Sequence, residues 1–519
     1  MEYTARRTDA VAAEMPRLQQ ERDLFNGFLY TMSVPRVRIA PSPTGNLHVG
    51  TARAGLFNYL FAKKYGGVFV LRIEDTDLER SDKKYESDIF EAFRWLGITP
   101  DESPEKGGPY APYRQTERTH VYRKHLERLL ADAKAFYCFH SERELEEEKT
   151  KLLEAKHPPL HMCEYRTMNP EEARMLADTK NDYIIRFKTP AGRTITFRDL
   201  IRGEVSFASA LLGDFSIAKK LDVPLYHFAV VVDDEEMQIS HVIRGEDHLA
   251  NTPKHILLIE ALGFRTPAYG HLPLLLGPDR SKLSKRHGAT SVMEYREQGY
   301  LPEALFNFLA LLGWNPGGER EIMTREEIAE KFSLEHVQKS GAVFDATKLD
   351  WMNGEYIRMK SISELTELCI PFLKKAGLLN QESGMKSREY LESIIALEQP
   401  RLKKLSEIGE RTEYFFHVPE YDKELLRWKK MIDHDIAVSL ERAERIISAL
   451  PAAIAKDEIE KAFLDSIGAG DKGALLWPLR VALTGRKASP GPFEIIAILG
   501  TEETQKRIHL AKEKLQHYV

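Results

Sequence analysis

From Arg36 onward the apolar positions fall into short, regular blocks. Val37-Arg38-Ile39-Ala40 alternates like a strand, and Pro41, Pro43 and Gly45 then force a turn. Over residues 51–65 the side chains Ala54, Leu56, Phe57, Leu60 and Phe61 recur at helical spacing until Gly66-Gly67 closes the run. Residues 68–73 form an apolar run of buried-strand type, and a second helical stretch over 81–96 stops at Gly97. Strand, loop, helix, strand, helix in that order predicts a βαβ unit of a parallel sheet. A second strand-rich part is predicted from Phe228-Ala229-Val230-Val231-Val232 onward, continuing through residues 239–243 and 272–276. Between the two parts, roughly residues 113–223 carry helical and strand signals of their own and read as an insertion. Beyond about Ser361 the pattern is amphipathic helix, for example over 387–397 and 437–450.

The first 33 residues read as an appendage. Glu2, Asp9, Glu14 and Glu21 among its arginines exclude a transit-peptide composition, and its apolar piece is too short for a secretory signal. Met32 offers an internal start site. A chain of 519 residues predicts three or four domains at roughly 150 residues each. At 43% hydrophobic residues it can fill several cores, which excludes global disorder. Three cysteines cannot build a disulfide framework in a chain this long, so a reducing, cytoplasmic setting is expected. No apolar stretch approaches the ~20 residues that a membrane span requires. The formal net charge of −5 announces no basic field, yet charge is locally segregated. KLSKR (282–286), RLKK (401–404) and RWKK (427–430) are basic, whereas 144–148 is acidic. Such texture permits an electropositive face on an acidic protein, although each cluster alone reads as a solvated helix face.

Two loops carry candidate chemistry. RIAPSPTGNLHVG (38–50) lies between a predicted strand and helix, and Gly45 and Gly50 let a nucleotide approach the backbone. The helix start near Thr51 offers unpaired N–H groups and a positive dipole end to phosphate, with His48 just ahead of it. In the second loop, Lys282 and Lys285 stand at i and i+3 and can converge on a polyphosphate leaving group. Alone, the first is a proline-rich loop with an incidental histidine and the second a basic surface patch.

Together the two loops look like the paired signatures of class I aminoacyl-tRNA synthetases. The string RIAPSPTGNLHVGTARAGLFNYLFAKK followed by LRIEDTD closely resembles bacterial-type glutamyl-tRNA synthetases. So do GPYAPYRQTER (108–118), VIRGEDHLANTP (242–253), RSKLSKRHGA (280–289) and WPLRVALTG (477–485). The resemblance implies an α/β Rossmann-type catalytic domain with an inserted α+β connective domain, then a stem-contact region and an all-α anticodon-binding region. Its implied bounds are an extension over 1–33, a first catalytic half over 34–112 and an acceptor-binding insertion over 113–223. A second catalytic half with the KLSKR loop covers 224–290, the stem-contact region 291–360 and the anticodon region 361–519.

The implied activity is ligation of L-glutamate to tRNA(Glu), with ATP and Mg²⁺, by a monomer. His48, Gly50, Lys282 and Lys285 would handle the phosphates and Asp247 would lie near the adenosine. Arg38 and Tyr226 would face the side-chain carboxylate, Glu74 the α-ammonium and Arg244 a substrate carboxylate, with Ala40 and Ser42 lining the pocket. Thr51 stands where the usual signature has a second histidine. Cys138, His140, Cys163 and Tyr165 approximate a zinc set seen in some members, with His161 also at hand, although both cysteines would serve equally as apolar fillers. Arg401 falls where discriminating members read the third anticodon base. Otherwise it opens a basic face for the tRNA backbone. A non-discriminating enzyme that also charges tRNA(Gln), and a catalytically inactive tRNA-binding paralogue, are the competing readings.

Overall fold

The computed structural model describes residues 34–516 apart from 181, 380–386, 452–453 and 469. The extension expected over 1–33 lies outside the described residues. The chain divides into two compact units, one running to Glu294 and including Leu305–Asp345, the other Tyr295–Ala304 with the chain from Ala346 onward.

The strands of the first unit are β1 (Arg36–Ile39), β2 (Val68–Leu71), β3 (Ala135–Cys138), β4 (Ile184–Phe187), β5 (Thr194–Asp199) and β6 (Gly203–Ala208). They continue with β7 (Ser216–Lys220), β8 (Val223–Pro224), β9 (His241–Gly245), β10 (Ala268–Leu272), β11 (Leu275–Leu276) and β12 (Ala342–Val343). One sheet has the order β2-β1-β9-β10-β5-β6, parallel from β2 to β5 and antiparallel only at the β5–β6 hairpin. A separate antiparallel sheet has the order β3-β4-β7-β8. Residues 113–223 therefore contribute to both sheets: the hairpin over 194–208 extends the parallel sheet beside β10 instead of staying with its neighbours in sequence.

The predicted βαβ unit is present. Its helix, Val49–Lys64, is apolar nearly all round, and Leu56, Phe57 and Leu60 are fully buried against the sheet. Gly67 follows it with no room for a side chain, because a Cβ there would lie 2.4 Å from the Pro35 carbonyl. The next helix, Lys83–Leu96, is capped by Asp82, which accepts from Lys84 N–H at 2.9 Å, and ends on Gly97 at φ 71°.

Phe228–Val232, predicted as strand, is helix instead. Tyr226–Glu236 is an α-helix whose apolar run is buried on every side, and such a run carries no period to distinguish the two states. The helical spacing also turns Asp233 and Asp234 inward, where they meet buried arginines. Beyond Ser361 the described residues contain no strand. Helices Ile362–Lys375, Arg388–Glu398, Asp433–Ser448, Lys456–Ile467, Lys472–Thr484 and Pro492–Gln516 build the second unit around two clusters, one with Leu365, Cys369, Leu373 and Ile395, the other with Ile436, Leu440, Phe463, Leu479, Ile495 and Ile508. Ser361, Ser387 and Asp471 cap three of them.

Candidate active site

A cavity of about 1130 Å³ opens at the carboxyl ends of β1, β9 and β10, where ligands bind in open parallel sheets. Arg38, Ala40, Ser42, His48 and Gly50 line it from the first βα loop, and Glu74 from the end of β2. Tyr226, Arg244, Asp247 and Lys282 line it from the second half. Lys285 does not. It stands exposed at the head of a single turn, Lys285–His287, so the structure brings together two of the three groups expected on the triphosphate.

The two signature loops are joined through their backbones. Val49 N–H donates to Thr290 O at 2.8 Å, and Val292 N–H donates to Leu47 O at 3.0 Å. His48 caps its helix: Gly50 N–H donates to Nδ1 at 3.0 Å, so a neutral ring carries its hydrogen on Nε2. Burial, with the Lys282 ammonium nearby, pushes the His48 pKa below its usual value. A neutral imidazole with a free Nε2–H, beside a helix start without acidic residues, suits a phosphate oxygen. Lys282 is placed by the β-bridge between Leu276 and Lys282 and by buried Leu283, whose N–H donates to Leu275 O at 2.9 Å. Its Nζ lies 3.6 Å from Asp247 Oδ2. Arg286, by contrast, is tied to Asp279 at 3.1 Å.

Charge around Arg38 and Arg244 is arranged in two ways. Arg72, fully buried, pairs through Nη1 with Asp234 (2.8 Å) and through Nη2 with Glu74 (3.1 Å), and its Nε lies 3.6 Å from Asp233. Asp233 also meets Arg118 at 2.7 Å and the Tyr122 hydroxyl at 2.9 Å. Arg38 gives Nε and Nη2 to Asp234 at 3.1 and 3.3 Å, so two of its three nitrogens are already engaged. Burial works against charge here, yet Arg38 and Arg72 outweigh it and hold the Asp234 carboxyl below its usual range. Glu74, for which burial dominates, is pushed up. Sequence reasoning missed Arg72, Arg118, Asp233 and Asp234. The signal was an arginine inside the apolar run 68–73, since a buried charge there requires partners.

Arg244 differs. It donates to Thr252 Oγ1 (2.7 Å) and His271 Nε2 (3.2 Å), lies 3.3 Å from His255 Nδ1, and sits over the Tyr269 ring at 5.5 Å. Among the described residues no carboxylate pairs with it, and burial pulls its pKa below the usual guanidinium range. The Tyr226 hydroxyl lies 2.9 Å from His248 Nδ1, and burial raises its pKa to about 12. The same burial lowers His227 and His248 to about 4. The Arg244 guanidinium thus sits among neutral rings.

In the insertion, Cys138, His140, His161 and Cys163 place one donor atom each within 4.8 Å of one another. His161 takes the fourth position expected of Tyr165, whose ring packs edge-on to His140 and Phe139. Cys138 Sγ lies 3.5 Å from His140 Nδ1 and 3.7 Å from His161 Nε2, and Cys163 Sγ lies 3.8 Å from His140 Nδ1. Tetrahedral zinc with two thiolates and two imidazoles sets such sulfur–nitrogen edges near about 3.6 Å. Glu148 holds Nδ1 of His161 from behind, as carboxylates do for metal-bound histidines. The donor set fits zinc.

In the second unit, Arg401 closes the turn Gln399–Arg401, with Nη1 4.0 Å from buried Glu398. The RWKK cluster is largely neutralised: Arg427 pairs with Glu424 and Asp433, and Lys429 with Asp471.

Residues 34–351 match the family model of the class I tRNA synthetase (E and Q) catalytic domain, and residues 364–512 match an anticodon-binding domain. A glutamate–tRNA ligase of Carboxydothermus hydrogenoformans is 47% identical over 91% of this chain and 98% of its own. One of Desulforamulus reducens is 46% identical over 92% and 99%. A solved glutamate tRNA ligase of Elizabethkingia meningosepticum, in complex with its amino acid, superposes with a TM-score of 0.83 at 36% identity, covering 93% of this chain and all of that one.

Proposed function

This chain belongs to the class I tRNA synthetases of the E and Q group, in their glutamate–tRNA ligase branch, and on that premise we propose which of its residues carry the reaction. Arg244 receives a carboxylate of glutamate, which completes a guanidinium that the fold leaves without an anion. Glu74 receives the α-ammonium, and Tyr226, Arg38, Ala40 and Ser42 shape the rest of the amino-acid pocket. The free α-carboxylate oxygen attacks the α-phosphate of ATP, taken as its Mg²⁺ complex, and pyrophosphate leaves. His48 donates through Nε2 to the phosphate, Gly50 keeps the helix start open, and Lys282 meets the departing charge. Asp247 lies beside Lys282 and contributes to the adenosine side. Lys285 joins only once its exposed turn closes over bound nucleotide. The 2′-hydroxyl of the terminal tRNA adenosine then takes the acyl group from the adenylate, while Arg401 reads an anticodon base of tRNA(Glu).

The observation that carries the reading is the buried, carboxylate-free Arg244 in the cavity that also holds His48 and Lys282. Pyrophosphate exchange in the presence of tRNA(Glu) tests it: glutamate should support exchange and glutamine should not. Exchange equal with both amino acids contradicts the assignment. Charging of purified tRNA(Gln) at a rate close to that of tRNA(Glu) would remove the discriminating role from Arg401. Lys282→Ala should slow exchange roughly hundredfold, as loss of one transition-state donor does, with tRNA affinity unchanged.

Cys138, His140, His161 and Cys163 would hold Zn²⁺, which would cross-link the end of β3 to the turn at Cys163. Metal analysis of the purified chain should find one zinc per molecule, lost in Cys138→Ser.

A further inference from the structure

Arg244 keeps its guanidinium in the cavity with neutral partners alone, so something else must set its orientation. We propose that Asp199 and His271 are positioning residues for Arg244: the carboxylate sets the imidazole tautomer, and that tautomer presents a bare nitrogen to the guanidinium. The inference rests on the reading of Arg244 as the receptor of a substrate carboxylate.

Asp199 ends β5, His271 lies in β10 and Arg244 in β9, three successive strands of the parallel sheet. All three side chains are buried. Asp199 Oδ1 accepts the N–H groups of Ile201 (2.9 Å) and Arg202 (2.8 Å). Oδ2 accepts His271 N–H at 3.1 Å and lies 2.6 Å from Nδ1. Burial disfavours its charge, but these donors, His271 foremost, outweigh burial and hold the carboxyl below its usual range. An ionised carboxylate only accepts, so the ring hydrogen sits on Nδ1. Nε2 is then an acceptor, 3.2 Å from Arg244 Nε and 3.0 Å from the Thr252 hydroxyl. Arginine Nε always carries hydrogen and can only donate. The other tautomer, or the imidazolium, would set N–H against N–H.

The ring stays neutral. Burial lowers the His271 pKa, and Arg244 and Arg202 repel an added proton against the pull of Asp199. Beyond Arg244 stand His255 and His248, themselves held neutral, and the Tyr269 ring stacks beside His271 at 6.1 Å. Because β5 comes from the insertion, a residue remote in sequence from both signature loops acts on the amino-acid pocket.

Asp199→Asn tests the tautomer. The two N–H groups at Oδ1 would hold the amide oxygen there and turn the amide NH₂ toward Nδ1, which moves the ring hydrogen to Nε2, facing Arg244. The KM for glutamate should rise roughly tenfold or more, the loss expected when a buried hydrogen bond to a charge is broken, while the KM for ATP holds. Imidazole ¹⁵N NMR should show Nδ1–H in the parent and Nε2–H in the variant. His271→Gln, which offers an NH₂ donor and an oxygen acceptor, should restore much of the affinity that His271→Leu loses. An Nε2–H tautomer in the parent, or equal rises in both KM values for Asp199→Asn, overturns the proposal. If Asp199→Asn fails to fold, NMR on the parent still decides. Arg244→Lys separates the two readings. No change in glutamate KM there refutes the carboxylate receptor, whereas a rise there without one in Asp199→Asn refutes only the positioning role.

Discussion

Two buried guanidiniums, Arg72 behind Glu74 and Arg244 on the cavity wall, are treated in opposite ways. Arg72 is surrounded by Glu74, Asp233 and Asp234, and its charge is answered within the fold. Arg244, also buried but lining the cavity, has hydroxyl, imidazole and aromatic neighbours but no carboxylate among the described residues. An arginine with its counter-ions holds the site together. The one without them is the arginine for which we propose a substrate anion. Neither burial nor the lack of a carboxylate suffices by itself, because Arg53 is buried at the same cavity with the Leu312 and Pro273 carbonyls as its acceptors.

The largest expected effect comes from breaking the satisfied side. Arg72→Met leaves buried Glu74 without its guanidinium, and Asp233 and Asp234 with one arginine each, and should cost about 3–5 kcal/mol in denaturant unfolding, the range for a buried pair deprived of one partner. A loss below 1 kcal/mol would end the distinction. Next is Arg244→Lys, which should leave unfolding free energy nearly unchanged while the glutamate KM rises by roughly ten- to a hundredfold, about 1.4–2.7 kcal/mol of lost binding. A stability loss as large as that of Arg72→Met would make the two arginines equivalent.

The smallest effect separates the regions by pH. Around Arg244, His227 and His248 have folded pKa values near 4, below the ordinary histidine value. Between about pH 6.5 and 4 the unfolded chain binds protons that the folded one refuses, so stability falls as pH falls, by roughly 1 kcal/mol per pH unit for each histidine. Around Arg72 the depressed pKa of Asp234 gives the fold stability that is present above the ordinary aspartate value and lost only below it. Urea unfolding at pH 7, 5.5 and 4.5 should therefore sense the histidine side first, and His227→Gln should flatten the slope. A slope that persists unchanged in that variant would assign it elsewhere.

Much of this was legible in the residues. The His48 loop and its helix, the Gly97 stop and the helical tail followed from local spacing and turn chemistry. Ten of the eleven residues expected at the substrate site do line one cavity. What escaped was non-local. Phe228–Val232 was ambiguous because an apolar run buried on all sides has no period to read. His161, and not Tyr165, completes the cluster because Glu148 holds its ring by Nδ1 while the Tyr165 ring packs on Phe139. Lys285 stays off the cavity because it heads the turn Lys285–His287, whereas the β-bridge from Leu276 sets Lys282, itself exposed, on the cavity wall.

By itself the sequence determined most of the elements and pointed to the two loops for which phosphate chemistry is proposed, because helix caps, glycine turns and apolar periodicity act over a few residues. Only the tertiary structure decided which charges are answered. Asp234 reaches Arg38 and Arg72 across more than 160 residues, and Asp199 reaches His271 across 72, through strand order that no local pattern encodes. Ionisation and tautomer depend on what surrounds a group in space, and in this chain that surrounding is assembled by the parallel sheet.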